Sequence, residues 1–304
     1  GRLKRKKIKQ IKKFKPQFKP YEIAPILRGL LSVNKDQKFI INYRSNKTLD
    51  YFINGKDVKR YSGIGTATPD HVIRVKPFPL VITPKQNSSI ENFKKIAEKS
   101  FKEYRKKYLN YFNINKKKVK GKKTMLDTSP RVILVQNVGL FSVGSSLSAS
   151  KIAGDLTETN ARVISSVEET TKYKFIPEKD LFDVEYWSLE QAKIKKAKKI
   201  LQGNVVVITG GFGAIGLATY KLFKSYGAEI VLLDYDVKKV KEMQTKIKDL
   251  CLHCDVRIKN SVKNAFKKIN ERYGGIDILI SNAGTAIGGS IAEIDDKILR
   301  ESFE

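Results

Sequence analysis

Apolar residues fall into two regimes along this chain. Beyond residue 203 they come as short, nearly unbroken runs: Val205 to Ile208, Ile230 to Leu233, Leu250 to Val256 and Ile276 to Ser281. Runs of this length between turn residues are the pattern of strands buried on both faces. Helix-like segments separate them, from Leu217 to Tyr226 and from Ser261 to Tyr273, the second with an apolar stripe at Val262, Ala265, Phe266 and Ile269. Strands alternating with helices of this size imply right-handed βαβ crossovers and a parallel sheet.

Before residue 203 the pattern is mixed. Tyr21 to Leu31 reads as a short helix, Phe39 to Tyr43 and Val72 to Val75 as strands, and Ser88-Ser-Ile-Glu91 as a capping box. Ile90, Phe93, Ile96, Ala97, Phe101, Tyr104 and Tyr108 then mark a helical stripe reaching about Tyr111. Asn113 to Lys123 reads as a charged loop and Arg131 to Val135 as a buried strand. Gly139 to Gly144 reads as a turn into a long helix from Ser146 to Tyr173. The expected organisation is a basic arm (1–20), a mixed α/β domain (21–186), a linker helix (187–202) and a doubly wound Rossmann half (203–304).

Chemistry concentrates where the first of the late strands ends. Gly211-Phe-Gly-Ala-Ile-Gly216 fits G-x-G-x-x-G, follows a strand and opens a helix. Glycines there let the main chain approach a pyrophosphate, and N–H groups at the helix N-terminus face it. The second strand ends at Asp234, about 20 residues beyond, where a carboxylate can accept bonds from ribose hydroxyls.

Thr209-Gly-Gly-Phe-Gly-Ala-Ile-Gly216, Asp255-Val256 and Asn282-Ala-Gly284 resemble the short-chain dehydrogenase/reductase family. The family's form is T-G-x-x-x-G-x-G, so Ala214 stands in place of its middle glycine. The resemblance implies NAD as cofactor, held by Gly210, Phe212, Ala214, Ile215, Gly216, Asp234, Asp255, Val256, Asn282, Ala283 and Gly284. Asp234 would favour NAD over NADP by repelling a 2′-phosphate. The strand order would be 3-2-1-4, with Ile276 to Ser281 at an open edge. The family's catalytic Asn, Ser and Tyr-x-x-x-Lys would come after Glu304, so the chain reads as a fragment of a longer protein and inactive by itself.

Ala67 to Pro77, Pro130 to Phe141 and Asp180 to Ala192 resemble the bifunctional rhamnulose-1-phosphate aldolase/alcohol dehydrogenase family. That family joins a class II aldolase module to a short-chain dehydrogenase. The resemblance implies a parent that cleaves a sugar phosphate into dihydroxyacetone phosphate and lactaldehyde, then oxidises the aldehyde with NAD. It also implies a homo-oligomer at full length, and the two cysteines, too few for a disulfide framework, fit a reducing cytoplasm. Only His71 and His253 exist here, with no H-x-H pair, so no zinc site of the aldolase kind is expected. Val135-Gln-Asn-Val-Gly-Leu-Phe141 resembles the aldolase fold's Asn-His-Gly turn, with Val138 in place of the histidine.

Composition adds limits. The formal charge is +29 and lysine far outnumbers arginine in every region. Bidentate phosphate and base contacts favour arginine, so the diffuse excess argues against specific nucleic-acid binding. Cys251-Leu-His-Cys254 invites a metal or redox reading, but residues three apart in a strand point to opposite faces, and core packing is expected. Asp70 and His71 with Arg74 and Lys76 would share a strand face able to bind a sugar phosphate or carboxylate; a capped turn with a hydrogen-bonded imidazole and solvated cations is the plainer account. The rival to a dehydrogenase is a non-catalytic cationic dinucleotide-binding or scaffold module, separated from it by whether a Tyr-x-x-x-Lys pair follows Glu304.

Overall fold

A computed structural model describes residues 5–32, 37–194, 197, 199–284, 290, 292 and 294–301. The chain divides into two compact units, Gly1–Lys198 with Asn270–Gly275, and Lys199–Ile269 with Ile276–Glu304. Both are α/β.

The first unit is built on a mixed sheet of β1 (Ile40–Arg44), β2 (Leu80–Ile82), β3 (Val132–Val135) and β4 (Gly139–Gly144), in the order β1-β4-β3-β2. β4 runs antiparallel to both neighbours, and β2 runs parallel to β3. Alternate residues of β3 face opposite ways. Ile133 and Val135 join a core with Leu27 of α1 (Pro20–Leu31) and Phe93 and Phe101 of α5 (Ile90–Asn115). Val132 and Leu134 join another with Leu49 and Phe52 of α2 (Lys47–Ile53) and Ile164 of α6 (Leu147–Glu168). The sheet is therefore covered by helices on both faces. Short helices α3 (Val58–Tyr61) and α4 (Val72–Val75) lie in the connections, and α7 (Glu178–Glu185) and α8 (Ser188–Ile194) close the unit.

Several expectations change here. Val72–Val75 is helix α4, entered through a 3-10 turn at Pro69–His71, with Val72 and Val75 buried on one side. A four-residue apolar run fits either period, and Pro69 at the start of the turn favours the helix. Gly139–Gly144 is strand β4, joined to β3 by a tight hairpin whose Asn137 takes φ 63°. The helix after it stops at Glu168 rather than Tyr173, while α5 continues to Asn115, into the segment read as loop. The cap of α5 is Ser89, whose hydroxyl accepts from Asn92 N–H, and Ser88 with Glu91 forms no capping box. Nor does the basic segment project freely. Lys6 N–H donates to Glu169 O (2.6 Å), Ile11 N–H to Asn54 O (2.8 Å) and Lys56 N–H to Lys9 O (2.8 Å), while Phe18 is 3% exposed.

The second unit carries a parallel sheet in the order β7-β6-β5-β8, the expected 3-2-1-4. Its strands are β5 (Val205–Thr209), β6 (Glu229–Asp234), β7 (Leu250–His253) and β8 (Ile278–Ile280). Helices α9 (Ala214–Ser225), α10 (Val237–Lys246) and α11 (Lys259–Tyr273) make the crossovers, and α12 (Asp296–Glu301) follows. Val206, Ile208, Ile230 and Leu232 pack with Phe212, Val240 and Cys251. Cys251 and Cys254 are free and buried, and burial pushes the Cys251 thiol up to about 11. No described helix is long and apolar enough to cross a membrane.

Candidate functional site

The glycine loop sits where β5 delivers the chain into α9. Gly210 takes φ +60°, a left-handed conformation glycine adopts without penalty, and a Cβ there would lie 3.0 Å from Ala283 Cα. At Gly216 a Cβ would lie 2.4 Å from the Gly210 carbonyl oxygen, so the first turn of α9 closes on the loop only through glycine. Gly213 caps the helix with no side-chain bond. The N–H groups of Ala214, Ile215 and Gly216, in the first turn, have no carbonyl one turn back to bond and so suit an anion. Ala214 opens the helix at an exposed position, which explains why a methyl group is tolerated there.

The loop is braced from behind. Asp234, 7% exposed, accepts from Phe212 N–H (3.2 Å) on one oxygen and from Asp236 N–H (3.1 Å) on the other. Thr209 Oγ1 accepts from Asn282 N–H and Ala283 N–H, both at 3.0 Å. Asn282 Nδ2 returns bonds to Thr209 O (3.0 Å) and Gly210 O (3.1 Å). The Asn282-Ala-Gly284 turn is thus stitched to the glycine turn. Phe212 contributes only its backbone, because its ring is buried in the core. Ile215 and Val256 are exposed. Asp255 N–H donates to Ser261 Oγ (3.1 Å), and its carboxylate takes the Arg257 guanidinium on both oxygens, which holds its ionisation below the usual range.

Tyr220 and Lys224 on α9 have the Tyr-x-x-x-Lys spacing, but both engage Asp249, at 3.0 Å and 2.6 Å. Burial and then Asp249 push the Tyr220 hydroxyl up to about 12, the opposite of an activated phenol. This pair ties α9 to the approach to β7.

In the first unit His71 Nδ1 lies 3.1 Å from Asn160 Oδ1, which also accepts from Ala67 N–H (2.9 Å). With residues 69–75 helical, Asp70, His71, Arg74 and Lys76 share no strand face. Sequence reasoning missed what Lys76 does instead. It is 3% exposed, donates to Asp127 O and lies over the Tyr108 ring at 3.7 Å. Asp127 also takes Arg131. Beside them Tyr108 O–H donates to the fully buried Glu185 carboxyl (2.8 Å), and Tyr108 and Tyr186 hydroxyls bond at 2.8 Å. Burial drives Lys76 down to about 7 and Glu185 up to about 7. Burial opposes ionisation of Asp127 too, but Arg131 outweighs it and holds that carboxyl at about 2. Residues this far apart in sequence carry no shared motif.

Two family matches divide the chain. "Aldolase class II, second domain" matches residues 19–194, and "short chain dehydrogenase" matches residues 204–304. The chain belongs to this class II aldolase family, with a short-chain dehydrogenase domain joined after it. It is similar to the uncharacterized oxidoreductase YuxG of Bacillus subtilis (strain 168), 28% identical over 89% of this chain and 40% of that protein. It is also similar to short-chain dehydrogenase reductase 4 of Arabidopsis thaliana, 32% identical over 38% of this chain and 42% of that protein. The chain thus spans less than half the length of these relatives. Among solved structures, a 3-ketoacyl-(acyl-carrier-protein) reductase from Brucella melitensis complexed with NADH is 25% identical, covering 33% of this chain and 43% of that one, with a TM-score of 0.31.

Proposed function

We propose that the second unit binds NAD and that the chain is part of a longer protein coupling aldolase cleavage of rhamnulose 1-phosphate to oxidation of the lactaldehyde released. The observation carrying this reading is the braced glycine loop: free N–H groups of Ala214 to Gly216 at a helix N-terminus, with Asp234 fixed behind them. The pyrophosphate would lie on those N–H groups. Each Asp234 oxygen uses one of its two lone pairs on the loop and keeps another for a ribose hydroxyl. When bound, the nicotinamide would accept a hydride from the aldehyde hydrate. The groups that take the substrate's proton would come from the chain after Glu304, and this piece alone would hold the cofactor without turning substrate over.

A carboxylate at Asp234 would repel a 2′-phosphate, so calorimetric titration should show NAD(H) binding about tenfold more tightly than NADP(H). Lys238 and Lys239, whose backbone N–H groups bond Asp236, follow in sequence and their charge would temper that preference. Equal or tighter NADP(H) binding would overturn the role given to Asp234. Failure of both dinucleotides to bind would overturn the reading of the loop.

A further inference from the structure

A concavity lies in the second unit, away from the glycine loop. A groove of about 390 Å³ runs along β7 between α10 and α11. Among the described residues β7 is an edge strand, paired only with β6. Val240 and Leu252 are buried at its floor, at 4% and 7% exposure. Apart from Val237 its walls are polar: Lys241 and Gln244 from α10, His253 from the end of β7, and Ser261, Asn264 and Lys268 from α11. No carboxylate lines it. Among the described residues neither Lys241 nor Lys268 is paired with an acid, whereas Lys246 on the same helix as Lys241 bonds Glu242.

An apolar floor beneath unpaired cations, in a volume suited to a small molecule, selects an anion of metabolite size. An added peptide strand fits less well. Gln244 Nε2 donates to Cys251 O (2.9 Å) and so caps the outward edge of β7 that a strand would need. Ser261 is engaged within the unit, since its oxygen accepts from Asp255 N–H (3.1 Å) and its hydroxyl bonds the Cys254 thiol, so the cationic grip falls to the two lysines. We propose that this groove is a binding site for a small anionic metabolite carrying a phosphate or carboxylate group, gripped by Lys241 and Lys268.

The chain has two histidines, which gives the test an internal control. Ring resonances of His253 and His71 are followed in the full chain while inorganic phosphate or malonate replaces chloride at constant ionic strength. The expected result is a saturable shift of His253 with His71 unmoved. The exposed substitutions Lys241→Ala and Lys268→Ala together should weaken that response about tenfold. Saturation by phosphate alone assigns a phosphate ester, by malonate alone a carboxylate, and by both an anion site open to either. Unsaturable drift of both histidines, or a His253 response unchanged in the double variant, would overturn the proposal.

Discussion

Replacing Glu185 by glutamine isolates the cost of the buried charge cluster. The carboxyl is fully buried, and burial moves its ionisation from 4.5 to about 7 despite the pull of Lys76 and the Tyr108 bond. A raised carboxyl favours the folded state below pH 4.5, and that contribution drains away as pH rises to about 7. At pH 8 the native carboxylate therefore costs on the order of 3 kcal/mol of folding stability. Lys76 runs the other way. Its ionisation falls from 10.5 to about 7, so it favours folding above pH 10.5 and loses that contribution as pH falls to 7. At pH 8 most of its charge is already gone, so little attraction is forfeited with Glu185. Glutamine keeps an acceptor for Tyr108 O–H and cannot ionise. The Glu185→Gln chain should be more stable than wild type by about 3 kcal/mol at pH 8 and by no more than about 1 kcal/mol at pH 5. Urea unfolding followed through the single tryptophan, Trp187, two residues away, reads the difference. An equal effect at both pH values, or a destabilised variant at pH 8, would refute the reasoning.

Gly210→Ala should lower the stability of the second unit by about 1–2 kcal/mol, because alanine pays strain at φ +60°, and should abolish dinucleotide binding; thermal melts and calorimetry check both. Tyr220→Phe removes the bond to Asp249, and melts should show a loss of about 1 kcal/mol with dinucleotide affinity unchanged. A drop in affinity would mean that Tyr220 serves the site. The unaltered chain supplied with NAD and lactaldehyde should form no NADH above a protein-free control, and formation of NADH would show that residues within 1–304 suffice for the chemistry.

Legibility followed the reach of the interactions. The second unit could be read because β5 and β6 are buried on both faces, so Val205 to Ile208 and Ile230 to Leu233 announce themselves as continuous apolar runs, and its loop is set by Gly210 and Gly216, where a Cβ would meet strain or backbone. The first unit was legible where a period was long, as in the stripe of α5, and failed where it was short. Val72–Val75 has too few residues to separate a period of 2 from one of 3.6. Gly139–Gly144 looked like a turn because its pairing with β1, about a hundred residues earlier, leaves no local mark. The same distance hid the Lys76, Asp127 and Glu185 cluster, and only the fold shows why each is buried.

Asp234 carries two burdens that a single substitution cannot separate. Its oxygens accept from Phe212 and Asp236 N–H groups, so the carboxylate shapes the loop before any ribose could reach it. Alanine would leave the Phe212 N–H without its buried acceptor, at a cost of about 1–3 kcal/mol. Asparagine offers one acceptor oxygen where the loop uses two, and its amide would face an N–H with another N–H. Lost binding in either variant would then report a collapsed loop as readily as a missing ribose contact. Comparing NAD with NADP on the unaltered chain avoids this, because the loop is the same in both arms and only the 2′-phosphate differs. The charge of Asp234 is tested by changing the ligand, and its bracing role by the melting temperature of the variants.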